Sequence, residues 1–371
     1  MRMLRDFWRA VKKRSSCSII TGGHTRRDRD VDTELGGQLR LADMRRRQKL
    51  GAPLVELVDA VLRGNCRRIV VGGGVYGGGG DGVKHGSLDS SLTKPNKKLD
   101  VHMGTDGQNF NCTRCHTTSM HNIAGRIYTE PAATDRKSLV EDDLTTKITC
   151  ESCHTAQPHK GGDKMNAHTD KVACQSCHIP AFARVNPTKM RWDWSTAGKK
   201  KDGKPYTEKG EFGKPKYDTK KGDFIWAKNV TPEYFWFNGS IEHLTVKDTI
   251  DPGNTVRINQ PVGSRDDPDS RIFPFKVHRG KLPYDKVNKN LVIPHLFPKG
   301  KDDKDAYWKG FNWDKAIAYG MEYAGLQYSG EYDFVETEYV FPSTHMVAPK
   351  DNSVACIECH SLSEGRLSKL S

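Results

Sequence analysis

Apolar and polar positions follow a clear period in only a few places along this chain. Alternation over Phe224–Lys228 and Thr255–Val262 predicts short strands. Trp313–Ala324 repeats its apolar residues at helical spacing, and Asn312 stands where a cap belongs. Ala52–Leu62 predicts a short amphipathic helix, and the Lys/Gly-rich run Lys199–Lys221 an exposed loop or hairpin. No apolar run approaches the roughly 18 residues that a membrane span needs. Near the start, Phe7, Trp8 and Val11 are interrupted by Arg9, Lys12, Lys13 and Arg14, so the apolar centre of a signal peptide is not visible.

Composition sharpens this sparse pattern. The 371 residues suit two or three domains, yet only 35% are apolar. Side chains alone would then make a poor core, and the chain reads as loosely folded unless something else fills it.

The filler is indicated by four copies of one motif: Cys112-Thr-Arg-Cys115-His116, Cys150-Glu-Ser-Cys153-His154, Cys174-Gln-Ser-Cys177-His178 and Cys356-Ile-Glu-Cys359-His360. Cys-x-x-Cys-His is the attachment signature of haem c. Two thiols add to the porphyrin vinyl groups, and the next imidazole meets the iron. Two intervening residues bring both sulfurs to one porphyrin edge. A zinc site would pair Cys112/Cys115 with Cys150/Cys153 and leave the four histidines unexplained. With 14 His in 371 residues, four such coincidences have a chance of about one in a few hundred thousand. A thioredoxin-like dithiol lacks its βαβ surroundings here. The macrocycles replace the missing core, so the expected fold is a multihaem cytochrome c, mainly α, with much irregular loop and few short strands. Helical turns are expected around each motif.

Four segments are expected. Residues 1–74 are an Arg-rich leader. Residues 75–182 hold three motifs. Residues 183–311 form a motif-free insert rich in Lys, Gly and aromatics that supplies distal His, its rings packing on haem edges. Residues 312–371 hold a helix and the fourth motif. The leader carries 14 Arg and 3 Lys, the remainder 10 Arg and 32 Lys. Cys17 and Cys66 belong to no motif. Such an inversion suggests a misread or out-of-frame start, with a native basic extension or a fusion remnant as alternatives. Of the +13 net charge, +9 lies in this leader. The rest becomes neutral or acidic once propionates are added, which removes support for a nucleic-acid partner. The glycine run Gly72–Gly82 lacks the Lys-Ser/Thr of a phosphate loop.

Besides the four proximal histidines, and His24 in the leader, nine remain: His85, His102, His121, His159, His168, His243, His278, His295 and His345. Bis-His ligation needs one distal imidazole per iron, so these nine are the distal candidates, with His345 foremost. His121 is too near His116 to round the same macrocycle, and it is expected on a neighbouring haem, as are His102 and His168. The surplus suggests haems whose motifs are missing.

The runs GGGGDGVKHGSLDSSL, CQSCHIP with KMRWDWSTAG, FKVHRGKLPYDK and FPSTHMVAPKDNSVACIECHS resemble the octahaem tetrathionate reductase family of multihaem cytochromes c, over about residues 75–367. The resemblance implies eight haems in a periplasmic protein, one of them catalytic with a Lys in the proximal position of Cys-x-x-Cys-Lys, and reduction of small sulfur or nitrogen oxyanions. This chain has four motifs and no Cys-x-x-Cys-Lys, so its catalytic competence is in doubt. The first expectation is therefore electron transfer through bis-His haem c. The partners expected are redox proteins and the haem attachment machinery. The alternative is an active reductase of tetrathionate, nitrite or hydroxylamine, and the remote one a zinc-ribbon binding protein.

Overall fold

A computed structural model describes residues 85–115, 118–119, 122–123, 149–361 and 364–370. The leader, including Ala52–Leu62, the Gly72–Gly82 run, His116 and His121 lie outside the described residues.

Strands dominate what is described. Two miniature strands, β1 (Thr118–Ser119) and β2 (Asn122–Ile123), pair with each other. Three short helices follow, α1 (Glu151–His154), α2 (Asp163–His168) and α3 (Cys174–His178). Next come β3 (Thr188–Asp193), β4 (Thr207–Lys209), β5 (Pro215–Asp218), β6 (Gly222–Ala227), β7 (Glu233–Phe237), β8 (Ile241–His243), β9 (Val256–Arg257), β10 (Asn259–Pro261), β11 (Arg271–Asp285) and β12 (Asn290–Leu291). Helices α4 (Tyr307–Gly310) and α5 (Trp313–Tyr323), strand β13 (Tyr332–Pro342) and helix α6 (Cys356–Cys359) complete the order. Nine strands form one mixed sheet in the order β4-β5-β6-β3-β11-β13-β9, with β7 and β12 also paired to β11. The β11–β3 and β13–β9 pairs are parallel.

The sheet is organised around the 15-residue β11, of which Phe275–Asp285 pair with β13 from Phe275↔Pro342 to Asp285↔Tyr332. Alternate side chains of a strand face opposite ways. Phe273, Phe275 and Val277 join Phe237, Ile241, Val340 and Ala173 in one apolar cluster. Lys276 and His278 take the other face. Charges line the crossing strands: Arg191 pairs with Glu336 at 2.9 Å, and Arg279 with Glu233 at 2.8 Å and Glu338 at 3.0 Å. A second cluster sits under α5, where Trp313, Ala316, Ile317 and Met321 pack on Trp194, Val292 and Tyr307. Helix α5 starts as expected, with Asn312 Oδ1 accepting from Lys315 N at 3.0 Å.

The expectation of a mainly α fold with few short strands is overturned by this sheet. The longest strand has 15 residues and the longest described helix 11. The misreading has a physical cause. Strand β11 does alternate over Phe273–His278, but Pro274 and Pro283 inside it argue on sequence grounds against a paired central strand, and Gly280 weakens the pattern beyond. In β13, Glu336 and Glu338 look solvent-directed but are matched by Arg191 of β3 and Arg279 of β11. The low apolar fraction also concealed an aromatic core built from Trp192, Trp194, Tyr307 and Trp313.

Candidate haem-binding sites

Each described motif sits on about one turn of helix. Cys112–Arg114 is a tight 3-10 turn, while α1, α3 and α6 carry the other three. One turn puts the two cysteines, three apart, on the same side and the next His just beyond. His154 and His178 are the last residues of α1 and α3, and His360 follows α6.

Strand β11 and the chain end hold these turns in place. Ala173 N and Ser176 Oγ donate to Ile272 O at 3.0 and 2.6 Å, pinning α3 to β11. Arg271 reaches Glu151 of α1 at 2.5 Å. The 348–354 segment is tied to α3 by Ala348 N donating to His178 O and Val354 N to Cys177 O. The Cys150 and Cys174 thiols hydrogen bond to each other, which raises the first and lowers the second to about 7. Burial raises Cys115, and Cys153 adds to the shift; burial likewise raises Cys177, with Cys359 adding. The thiols of successive attachment turns thus influence one another in chain order.

Three pairs of imidazoles face each other. His102 and His154 have ring centroids 5.9 Å apart, His159 and His178 6.3 Å, and His168 and His360 6.0 Å. Two imidazoles on opposite faces of one iron, each bonded at about 2 Å, would hold their centroids roughly 6 Å apart. The residues present therefore fit a bis-His haem at each of these three places. Their outer nitrogens are also arranged for it. His168 Nδ1–H donates to Lys164 O at 2.6 Å and His159 Nδ1–H to Asn166 Oδ1 at 3.2 Å, leaving Nε2 for a metal. Burial holds His178 below the usual range, and His159, His154 and His102 push the same way.

The other candidates lie elsewhere. His278 Nδ1–H donates to Lys189 O at 3.0 Å. Burial, with Lys276 and Lys189 beside it, holds His278 down to about 3. His345 Nδ1 is 3.1 Å from Thr344 Oγ1. Buried His85 meets Phe341 edge-on at 5.2 Å, and His243 pairs with Asn259 across β8 and β10. His295 commits Nε2 to Asp303 at 2.8 Å and stacks on Tyr319. Among the described residues, no three His, Cys, Asp or Glu side chains converge as a zinc site requires.

Sequence reasoning missed the groups that orient these histidines. Asp100, 2% exposed, accepts four backbone N–H groups, from His102 and Met103 on Oδ1 and from Met346 and Val347 on Oδ2. The Asp100-x-His102 spacing of an Asx turn was the available signal. Lys189 and Lys276, both buried, had none, because a strand lysine ordinarily points to water.

The family of bacterial cytochromes c (Cytochrome_cB, "Cytochrome c bacterial") matches residues 189–363, which hold the sheet and the last motif. The crystal structure of octahaem cytochrome c from Shewanella oneidensis is similar at 42% identity and a TM-score of 0.65, covering 75% of this chain and 60% of that one. The chain thus spans less than two thirds of the structure it resembles. No curated protein matches it. The motifs and these likenesses define a c-type cytochrome, a class that carries covalently attached haem. Within that class the chain is a multihaem cytochrome related to octahaem cytochrome c. Among the described residues, no helix is long and apolar enough to cross a membrane.

Proposed function

We propose that the chain is a periplasmic electron carrier with four haems c, three of them held by the axial pairs His102/His154, His159/His178 and His168/His360. Bound haem supplies a one-electron iron couple. The two imidazoles of each pair would hold one haem from both sides, which would leave substrate no open position there. The observation that carries this reading is the common spacing of the three imidazole pairs, 5.9–6.3 Å. The cysteines of successive motifs act on one another electrostatically, Cys115 with Cys153, Cys150 with Cys174 and Cys177 with Cys359, which supports a linear series. Redox proteins at its ends and the haem attachment machinery are the partners that follow. The finer kinship with octahaem tetrathionate reductases rests on the quoted sequence runs; the Shewanella likeness supports an octahaem cytochrome c.

A pyridine haemochrome assay on purified protein tests the count and should read four haems per chain. Cyanide titration tests the ligation. Three of the four haems should not bind cyanide, and prompt binding by all four would refute the axial assignment.

A further inference from the structure

The chain end returns to the third attachment turn through one arginine. Arg366 Nη1 donates to Pro180 O at 2.8 Å, across 186 positions of sequence. The same nitrogen donates to the Tyr234 hydroxyl at 3.3 Å. Nε and Nη2 both donate to Glu358 Oε2, at 2.9 and 2.7 Å. Four of the five N–H groups of the guanidinium fork are thus engaged, and the side chain is 13% exposed. Pro180 lies two residues after His178, and Glu358 lies inside the fourth motif. One cation therefore joins the third attachment turn to the fourth. Its anchors are themselves held. Glu358 Oε1 accepts from Ala355 N at 2.9 Å at the start of α6, and Arg366 N donates to Glu358 O at 2.7 Å. Buried Tyr234 stands on β7, opposite Pro274 of β11.

The two middle positions of the four motifs are Thr-Arg, Glu-Ser, Gln-Ser and Ile-Glu. Attachment makes no common demand on them, so thioether formation does not require Glu358, and its pairing with Arg366 serves another end. The guanidinium acts on both turns at once. Burial raises the Cys177 and Cys359 thiols, and Arg366 opposes that rise at each. These two sulfurs belong to neighbouring attachment sites, since Cys359 itself acts on Cys177. Ferric iron carries one more positive charge than ferrous, so a nearby cation favours the reduced haem and raises its midpoint potential. Glu358 is 40% exposed, so water screens it more than it screens the guanidinium. We propose that Arg366 is a positioning residue that locks the third and fourth attachment turns side by side and, by its charge, raises the midpoint potentials of the haems at Cys174–His178 and Cys356–His360 together. The inference rests on haem at these two motifs and not on the axial pairs.

The haem-loaded full chain and its Arg366→Met, Arg366→Lys and Glu358→Gln variants are titrated spectroelectrochemically, with haem content read from the pyridine haemochrome. Arg366→Met should lower two midpoint potentials, and Glu358→Gln should raise the same two, because one removes the cation and the other its counter-charge. A joint that acts through structure alone would move both variants the same way. Arg366→Lys keeps the charge and loses the fork, so it should hold the two potentials and lower the denaturant midpoint. Glu358→Gln keeps a hydrogen-bonding side chain of the same size, so it decides the matter even if Arg366→Met fails to load haem. Potentials that are unchanged or lowered in Glu358→Gln, at full haem content, overturn the proposal. Prompt cyanide binding by all the wild-type haems would refute the axial pairs and leave these potential shifts as the separate test of Arg366.

Discussion

Asp100 should be the side chain whose loss disturbs the histidine framework most. Its carboxylate bridges two loops. Oδ1 accepts from His102 N and Met103 N, each at 2.9 Å, and Oδ2 from Met346 N at 2.9 Å and Val347 N at 3.3 Å. Arg184 fastens the same joint by donating to Lys98 O, Leu99 O and Met346 O. A hydrogen bond to a charged group contributes about 1.5–3 kcal/mol, and a buried donor left unpaired costs about 1–3 kcal/mol. Asp100→Ala orphans four donors. Water entering the space recovers part of the loss, leaving about 4 kcal/mol. Asp100→Asn keeps one acceptor and turns an amide against the other two N–H groups, for about 2–3 kcal/mol. Chemical denaturation followed at the haem Soret band measures both. A second effect follows from position, because His102 faces His154 and His345 precedes Met346. Asp100→Asn should therefore perturb the low-spin spectrum of at least one haem before global unfolding. A stability within about 0.5 kcal/mol of wild type, with an unaltered spectrum, would refute the reasoning.

Other expectations concern single contacts. Asn312→Ala removes the cap of α5 and should lower stability by about 1 kcal/mol, read from denaturant midpoints. Trp313→Ala, under the same helix, should cost about 3–5 kcal/mol and shift the thermal midpoint well beyond the cap variant. The Lys299 backbone N–H, and after it His295, hold Asp303 at about 2. Its contribution is fully present above the ordinary carboxylate value of 3.8 and is lost as pH falls toward 2. Asp303→Asn should then flatten the acid limb of the thermal-midpoint profile between those values and leave the limb above neutrality unchanged.

Local signals in this chain were readable and distant ones were not. A haem attachment motif needs five consecutive residues, so Cys150–His154 and its copies announce themselves. The helix at Trp313 and the strand at Phe224 are equally local, set by period and cap. What escaped is long-range. His168 faces His360 across 192 positions of sequence, and His159 faces His178 because α2 and α3 fold back, not because of spacing. The sheet escaped for a related reason. Strand β11 is buried on both faces, one apolar and one carrying Lys276 and His278, so neither face shows a clean polar stripe.

Low-temperature EPR of the oxidised, haem-loaded protein and of His168→Ala tests the axial pairs most directly. His168 lies opposite His360 and contacts no other proximal imidazole among the described residues. The account predicts that the variant loses one low-spin signal and gains one high-spin signal, with haem content unchanged. A variant that keeps every low-spin signal of the wild type would contradict the pairing and, with it, the bis-His reading of the chain.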